Sequence, residues 1–274
     1  MKDGRIFDRY SAPMIGPDGE NYGRLWCFRD ITETKKTESR LKGLDDLKTQ
    51  FIQTVSHQLR TPINITRWNL EVLLSGKHGH LSEHLKEILN SSLEANYEII
   101  KILDDILTAL DIEEDRLTNL KKTDTSLEDL WESVVQDLKS KYEIKNIHYS
   151  FESPEKPLPI LQIDSEKIKI VLKNLLDNAI IYTKEKGKIK VSLKQVDEKI
   201  IFKITDSGIG IPKEEQENIA SRFFRASNAS VLHPNATGLG LFIAKYFIKQ
   251  HGGEFGFKST EKKGSTFWFE LPIS

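Results

Sequence analysis

The sequence predicts a multidomain chain: an all-α helical hairpin forming a dimeric four-helix bundle, then an α/β sandwich, with a short β segment in front. Three observations predict it. Apolar residues recur at three- and four-residue steps through much of the stretch from 44 to 110. They alternate strictly in paired short runs after about residue 188. And 274 residues suffice for two compact units joined by a helical connector.

Residues 4–31 read as two strands around a Pro17-Asp18-Gly19 turn, with β-branched and aromatic residues on both sides. A lone hairpin is marginal in water, so the chain is expected to begin inside a larger β domain. From Thr32 the pattern turns helical, and Leu44, Leu47, Phe51, Val55 and Leu59 form one apolar stripe with charged flanks. The segment Gly76 to His80 breaks that helix, and Ser82 with Glu83 supplies an N-cap and a first-turn acid for the next. The second helix carries Leu89, Leu93, Tyr97, Ile100, Leu103, Leu107 and Leu110 and decays in the polar run that follows. Two such hairpins bury their stripes together, so a homodimer is expected, docking onto the downstream domain being the alternative.

After Thr123 the reading is mixed: a helix near 126–141, strands near 146–152 and 159–163, and a helix near 165–182. Ile189, Val191 and Leu193, then Ile200, Phe202 and Ile204, alternate as a half-buried hairpin. A helix near 239–250 and two closing strands, with Phe255 and Phe257, then Phe267, Phe269 and Leu271 turned inward, complete the sandwich.

Composition excludes several functions. The 40 basic and 41 acidic residues nearly cancel, so no global field recommends nucleic acid or an anionic membrane as a direct partner. Cys27 is the only cysteine, which excludes an internal disulfide and a thiolate zinc cluster and fits a reducing, cytoplasmic compartment. No apolar run reaches the roughly 20 residues of a membrane span, so a membrane is expected only through an upstream segment.

Chemistry gathers at four places. His57 lies two residues past Val55, about 200° around the helix, so it should face solvent as a nucleophile with Gln58 beside it and Thr61 one turn on. Pro62 removes the hydrogen bond to the Gln58 carbonyl and suggests a kink or hinge. Asn174 and Asn178, in NLLDNA, share a helix face and offer amide oxygens to a hard cation. Asp206 opens DSGIGIP at a strand end, where Gly208 and Gly210 permit close backbone approach to a ligand. Thr237, Gly238, Leu239, Gly240 and Leu241 lead into a helix whose N-terminal amides suit phosphate oxygens.

In this order the four resemble the phosphoacceptor box (FIQTVSHQLRTPI) and the N, G1 and G2 boxes of two-component sensor histidine kinases, whose ATP domain has the GHKL or Bergerat fold. SRFFRAS, with Arg225, is similar to the family's F box, and KKGSTFWFELP to its closing strands. Residues 4–35 look like the last strands of a PAS sensor domain and a signalling helix. The resemblance implies a PAS fragment at 1–31, a signalling helix at 32–47, a dimerisation and phosphotransfer domain at 48–118 and an ATP-binding domain at 123–274.

It also implies roles. ATP is the phosphoryl donor and Mg²⁺ is held by Asn178 against the triphosphate. Asp206 receives the adenine amino group. Asn174, Tyr182, Arg225 and the glycine loops line the pocket. His57 accepts the γ-phosphoryl group and passes it to an aspartate on a response-regulator receiver domain. Thr61 orients water for dephosphorylation. Two residues depart from the family: Gln58 stands where Glu or Asp is usual, and Ile181 where Lys or Arg is frequent, with Lys173 or Arg225 as substitutes for the missing charge. Those departures define the alternative, a nucleotide-binding signalling scaffold with weak kinase activity that acts mainly in dephosphorylation or assembly. A chaperone- or topoisomerase-type ATPase would leave the His57 helix unexplained.

Overall fold

The structure, a computed structural model, describes residues 5–15, 17, 19–77, 79–114, 116–117, 119–154 and 156–273. Asp18 of the expected turn, His78 of the expected break, and Met1, Thr118 and Ser274 at the expected domain limits lie outside them. The chain divides into two compact units, Met1–Thr61 and Pro62–Ser274, each described by itself.

In the first unit, β1 (Phe7–Ile15) and β2 (Asn21–Asp30) pair antiparallel, with the register running from Phe7↔Asp30 to Pro13↔Arg24 and an irregularity between Pro13 and Ile15. Helix α1 (Thr32–Leu74) starts directly after this hairpin, because the Asp30 carboxylate accepts from the Thr32 amide at 2.9 Å. It runs on as one helix through Pro62. Its apolar stripe is open: Leu44, Leu47, Phe51 and Leu59 are all exposed in the single chain.

The second unit begins with the last turns of α1 and folds back through α2 (Glu83–Glu113). Ser82 caps α2 by accepting from the Leu85 amide at 3.3 Å. Tyr97 of α2 donates to Glu71 of α1 at 2.7 Å, and the Arg67 guanidinium lies 5.8 Å from the Tyr97 ring centroid, which fixes the hairpin.

The α/β part contains β3 (Thr123–Thr125), α3 (Leu127–Ile144), β4 (His148–Glu152), β5 (Leu161–Ile163) and α4 (Ser165–Tyr182). There follow β6 (Lys188–Val196), β7 (Lys199–Asp206), a 3₁₀ turn Lys213–Asn218, α5 (Ser227–Leu232), α6 (Gly240–Gln250), β8 (Glu254–Thr260) and β9 (Gly264–Pro272). Five strands form one sheet in the order β4-β6-β7-β9-β8, with β4 parallel to β6 and the other neighbours antiparallel. The pair β3–β5 forms a separate ribbon; β5 falls in the strand expected near 159–163, whereas β3 and the short helix α5 of the lid, the segment from Arg222 to Ala236, do not announce themselves in the sequence.

Alternation places Ile189, Val191, Leu193, Ile200, Phe202, Ile204, Phe269 and Leu271 on the buried face, against α3, α4 and α6. Phe202 stacks on Phe269 at 5.0 Å and meets the edge of Trp131 at 5.0 Å, so two strands and one helix share one aromatic centre. The opposite face carries Lys190, Lys194, Lys203 and Ser192 around a shallow depression open to solvent.

Candidate active site

His57 is exposed on α1, and its side chain makes no hydrogen bond or ion pair with a described residue. Gln58 and Thr61 are exposed too. Thr54 and Thr66 fold their hydroxyls back onto the carbonyls of Gln50 (2.8 Å) and Pro62 (3.0 Å), whereas the Thr61 hydroxyl is bonded to no described residue. An accessible imidazole with a hydroxyl and an amide on its own surface is thus in place in the first unit.

The second unit brings the other predicted residues together around α4 and α6. Asp164 caps α4, accepting from the Lys167 amide at 3.1 Å. At the other end the Lys145 ammonium donates to the carbonyls of Ile180 (2.8 Å), Ile181 (2.9 Å) and Thr183 (3.3 Å), and burial lowers its pKa. This C-terminal clamp, which sequence reading did not find, fixes the turn carrying Tyr182. Asn174 is buried and donates to the Gly240 carbonyl at 3.3 Å, joining α4 to the first residue of α6. The Asn178 amide, one turn on, is half-buried and bonded to no described residue.

Asp206 is buried at the end of β7, where Oδ1 accepts from the amides of Gly208 (2.8 Å) and Ser265 (3.2 Å). Burial raises its pKa, and those two amides oppose the rise. Oδ2 has no hydrogen-bond partner among the described residues.

The glycines of these loops are tightly packed. A Cβ at Gly208 would collide with the Tyr182 carbonyl, one at Gly210 (φ 64°) with the Thr260 carbonyl, and one at Gly238 (φ 72°) with the Phe224 carbonyl at 2.7 Å. Close packing against the protein's own backbone by itself demands glycine at these three positions. Gly240 is the least constrained, with Asn174 Cγ 3.4 Å from the same point.

Thr237 accepts from the Leu239 amide at 3.2 Å and so shapes the entry to α6. Leu239 is fully buried and Leu241 packs against the core, so each presents only backbone to a ligand. No side chain caps α6, which leaves its first amides available to an anion.

The charge substitutes resolve differently. Lys173 is turned to Asp137 at 3.5 Å. Arg225 donates to the carbonyls of Pro234 (2.7 Å), Ala229 (3.4 Å) and His233, holding the lid around α5 in shape. Burial raises the Tyr182 pKa while Arg225, beside it, restrains the rise. Asn228 closes the lid onto the Gly210 carbonyl at 2.9 Å.

Asp177, inside NLLDNA, was not singled out by its sequence context. It is buried, and Lys101 of α2 (2.8 Å) and Lys141 of α3 (3.1 Å) each hold one of its oxygens. Burial pushes its pKa up, but the two ammonium groups outweigh that and hold it below the ordinary value.

An accessible histidine on a helical hairpin, followed by a glycine-looped α/β pocket with a buried aspartate, defines a phosphoacceptor helix coupled to an ATPase of the GHKL class. Family comparisons agree. Residues 47–115 match the His Kinase A (phospho-acceptor) domain, and residues 163–274 match the histidine kinase-, DNA gyrase B- and HSP90-like ATPase. The sensor histidine kinase WalK of Bacillus subtilis is 30% identical over 262 residues, which is 93% of this chain and 40% of WalK. Histidine kinase ThkA, solved in complex with response regulator protein TrrA, is similar at 28% identity and a TM-score of 0.55 over 98% of this chain and 76% of that one. The histidine kinase AdeS of Acinetobacter baumannii gives 25% and 0.55 over 80% of this chain and 98% of that one. The chain belongs to the sensor histidine kinases of two-component systems. It spans less than half the length of WalK, and among the described residues no helix is long and apolar enough to cross a membrane.

Proposed function

We propose that the chain is the transmitter portion of a sensor histidine kinase, transferring the γ-phosphoryl group of ATP to His57 and then to an aspartate of a response-regulator receiver domain. The observation that carries this reading is the pairing of an exposed, unengaged His57 with a buried Asp206 carboxylate, at the glycine loops, whose Oδ2 has no hydrogen-bond partner among the described residues. The imidazole nitrogen attacks the γ-phosphorus, the bond to the β-phosphate oxygen breaks, and ADP leaves. The P–N bond formed then donates to a carboxylate, for which the regulator solved with ThkA is the model partner.

Within the pocket Asp206 accepts from the adenine amino group, Tyr182 and Asn174 line the wall, and the α6 amides with Thr237 meet the phosphates. Asn178 fits a Mg²⁺ role: its amide is uncommitted, and one neutral oxygen suits an ion carried mainly by phosphate oxygens and water. Mg²⁺ bound there supplies charge neutralisation to the triphosphate. Thr61 positions water for dephosphorylation of the regulator. Two copies pair through the open α1 stripe, the domain limits are those read from the sequence, and the β1–β2 hairpin is the end of a PAS domain.

Incubation with γ-labelled ATP tests the reading. The expected label is acid-labile and base-stable, and it disappears in His57→Ala. Label that survives this substitution overturns it.

A further inference from the structure

One face of α2 meets the nucleotide lid through an ordered series of contacts inside the second unit. Glu98 faces the His233 imidazole at 3.5 Å, Asp105 accepts from the Thr237 hydroxyl at 3.5 Å, and Glu113 pairs with the Arg222 guanidinium. The three acids are seven and eight residues apart, which places them on one helical face about two turns from one another. Their partners all lie between Arg222 and Thr237, the segment that leads from the lid into α6. The one base on this face, Lys101, meets the one acid opposite it, Asp177 of α4, at 2.8 Å. Sign is therefore matched at each of these four contacts: acid against base or donor at the lid, base against acid at α4.

The position of Asp105 matters most. Thr237, to which it is bonded, also accepts from the Leu239 amide at the entry to α6, where the uncapped helical amides face the pocket. A carboxylate from α2 thus stands beside the place suited to phosphate oxygens. Triphosphate brought there would add several negative charges next to one that is half-buried, where screening by water and salt is weak.

We propose that the acidic face of α2 formed by Glu98, Asp105 and Glu113 is a latch that competes with Mg·ATP for the lid and the α6 entry loop. While α2 holds the lid, nucleotide binds weakly; when nucleotide binds, the same lid groups leave α2. Linkage requires the effect to be reciprocal, so nucleotide loosens α2 by the factor by which α2 weakens nucleotide. This inference rests on the nucleotide reading of the pocket given above.

The test uses the full chain carrying Glu98→Gln, Asp105→Asn and Glu113→Gln together, amides that keep shape and remove charge. Two quantities are measured: amide hydrogen exchange of residues 222–239 without nucleotide, and Mg·ATP affinity by calorimetry. The expected result is faster lid exchange and about tenfold tighter Mg·ATP binding, within the usual range of coupling between sites. Glu132→Gln with Glu198→Gln, away from these contacts, should change neither quantity. Unchanged or weaker affinity in the triple variant, with the wild type binding normally, overturns the latch and leaves the kinase reading intact. Absence of Mg·ATP binding in both proteins overturns the nucleotide reading and the latch with it.

Discussion

At the scale of single residues, Gln58 sets the expected rate. An amide beside His57 orients an imidazole through hydrogen bonding but takes no proton, and general-base assistance contributes typically about 10²- to 10⁴-fold. Gln58→Glu should raise the autophosphorylation rate at least tenfold while leaving Mg·ATP affinity unchanged, measured by initial rates of label incorporation at saturating ATP. Asp105 makes a prediction of stability. Burial raises its pKa to about 6 from the ordinary 3.8, against the pull of Lys101 and Thr237. The folded protein therefore holds this proton where the unfolded chain has lost it, so the contribution of Asp105 to stability falls as pH rises from about 4 to about 6. Asp105→Asn should abolish this pH dependence, so that the wild type loses stability relative to the variant between about pH 4 and about pH 7.5. Thermal melts at the two pH values check it.

At the scale of elements, helix α1 carries an open problem in its stripe. Phe51 is 69% and Leu47 62% exposed in the single chain, and a helix face of this length calls for a cover. A second copy burying such side chains gains about 1.5–3 kcal/mol for each. Phe51→Glu with Leu59→Glu should convert a dimer to monomer at micromolar concentration, read by light scattering. The periodicity of this stripe was plain in the sequence, as were the Ser82 cap and the strand alternation of β6, β7 and β9, because each depends on neighbours a few residues away. The strings around His57, Asn174, Asp206 and Gly238 were legible for a similar reason: each is short and continuous. What stayed hidden was pairing at a distance. Nothing local to Lys101 or Asp177 says that they meet across 76 residues, or that β4 joins the sheet in parallel beside β6. The glycines show the same limit, since nothing in their spacing says that a side chain there would collide with the carbonyls of Tyr182, Thr260 and Phe224.

At the scale of the whole molecule, the division into compact units falls between Thr61 and Pro62, inside the continuous helix α1 and four residues past His57. His57 and Asp206 thus belong to different units. The pocket has its own support far from the chemistry. His251 at the end of α6 accepts the Asp164 amide at Nε2 (3.0 Å) and faces the Phe247 carbonyl through Nδ1 (2.7 Å), so the ring is neutral, and burial lowers its pKa. A lowered histidine pKa gives stability that is present above about pH 6.5 and lost on acidification through the folded value. His251→Ala strands a buried amide, costing about 1–3 kcal/mol. It should also flatten the acid side of the stability profile between about pH 5 and 7, measured by chemical denaturation.

Asp164 and His251 join the start of α4 to the end of α6, and Asn174 joins the middle of α4 to the start of α6 through the Gly240 carbonyl. The distance along α4 between those ties, ten residues or about 15 Å, matches the roughly 16 Å length of α6. The two helices therefore run antiparallel and are tied at both ends of α6, a rigid frame and not two free rods. Asp164 also accepts from the Lys121 amide at 3.0 Å, in the segment that follows α2. A pull on the chain leaving the helical hairpin is thereby delivered to a corner of the frame whose opposite corner is the glycine loop, about one α6 length away.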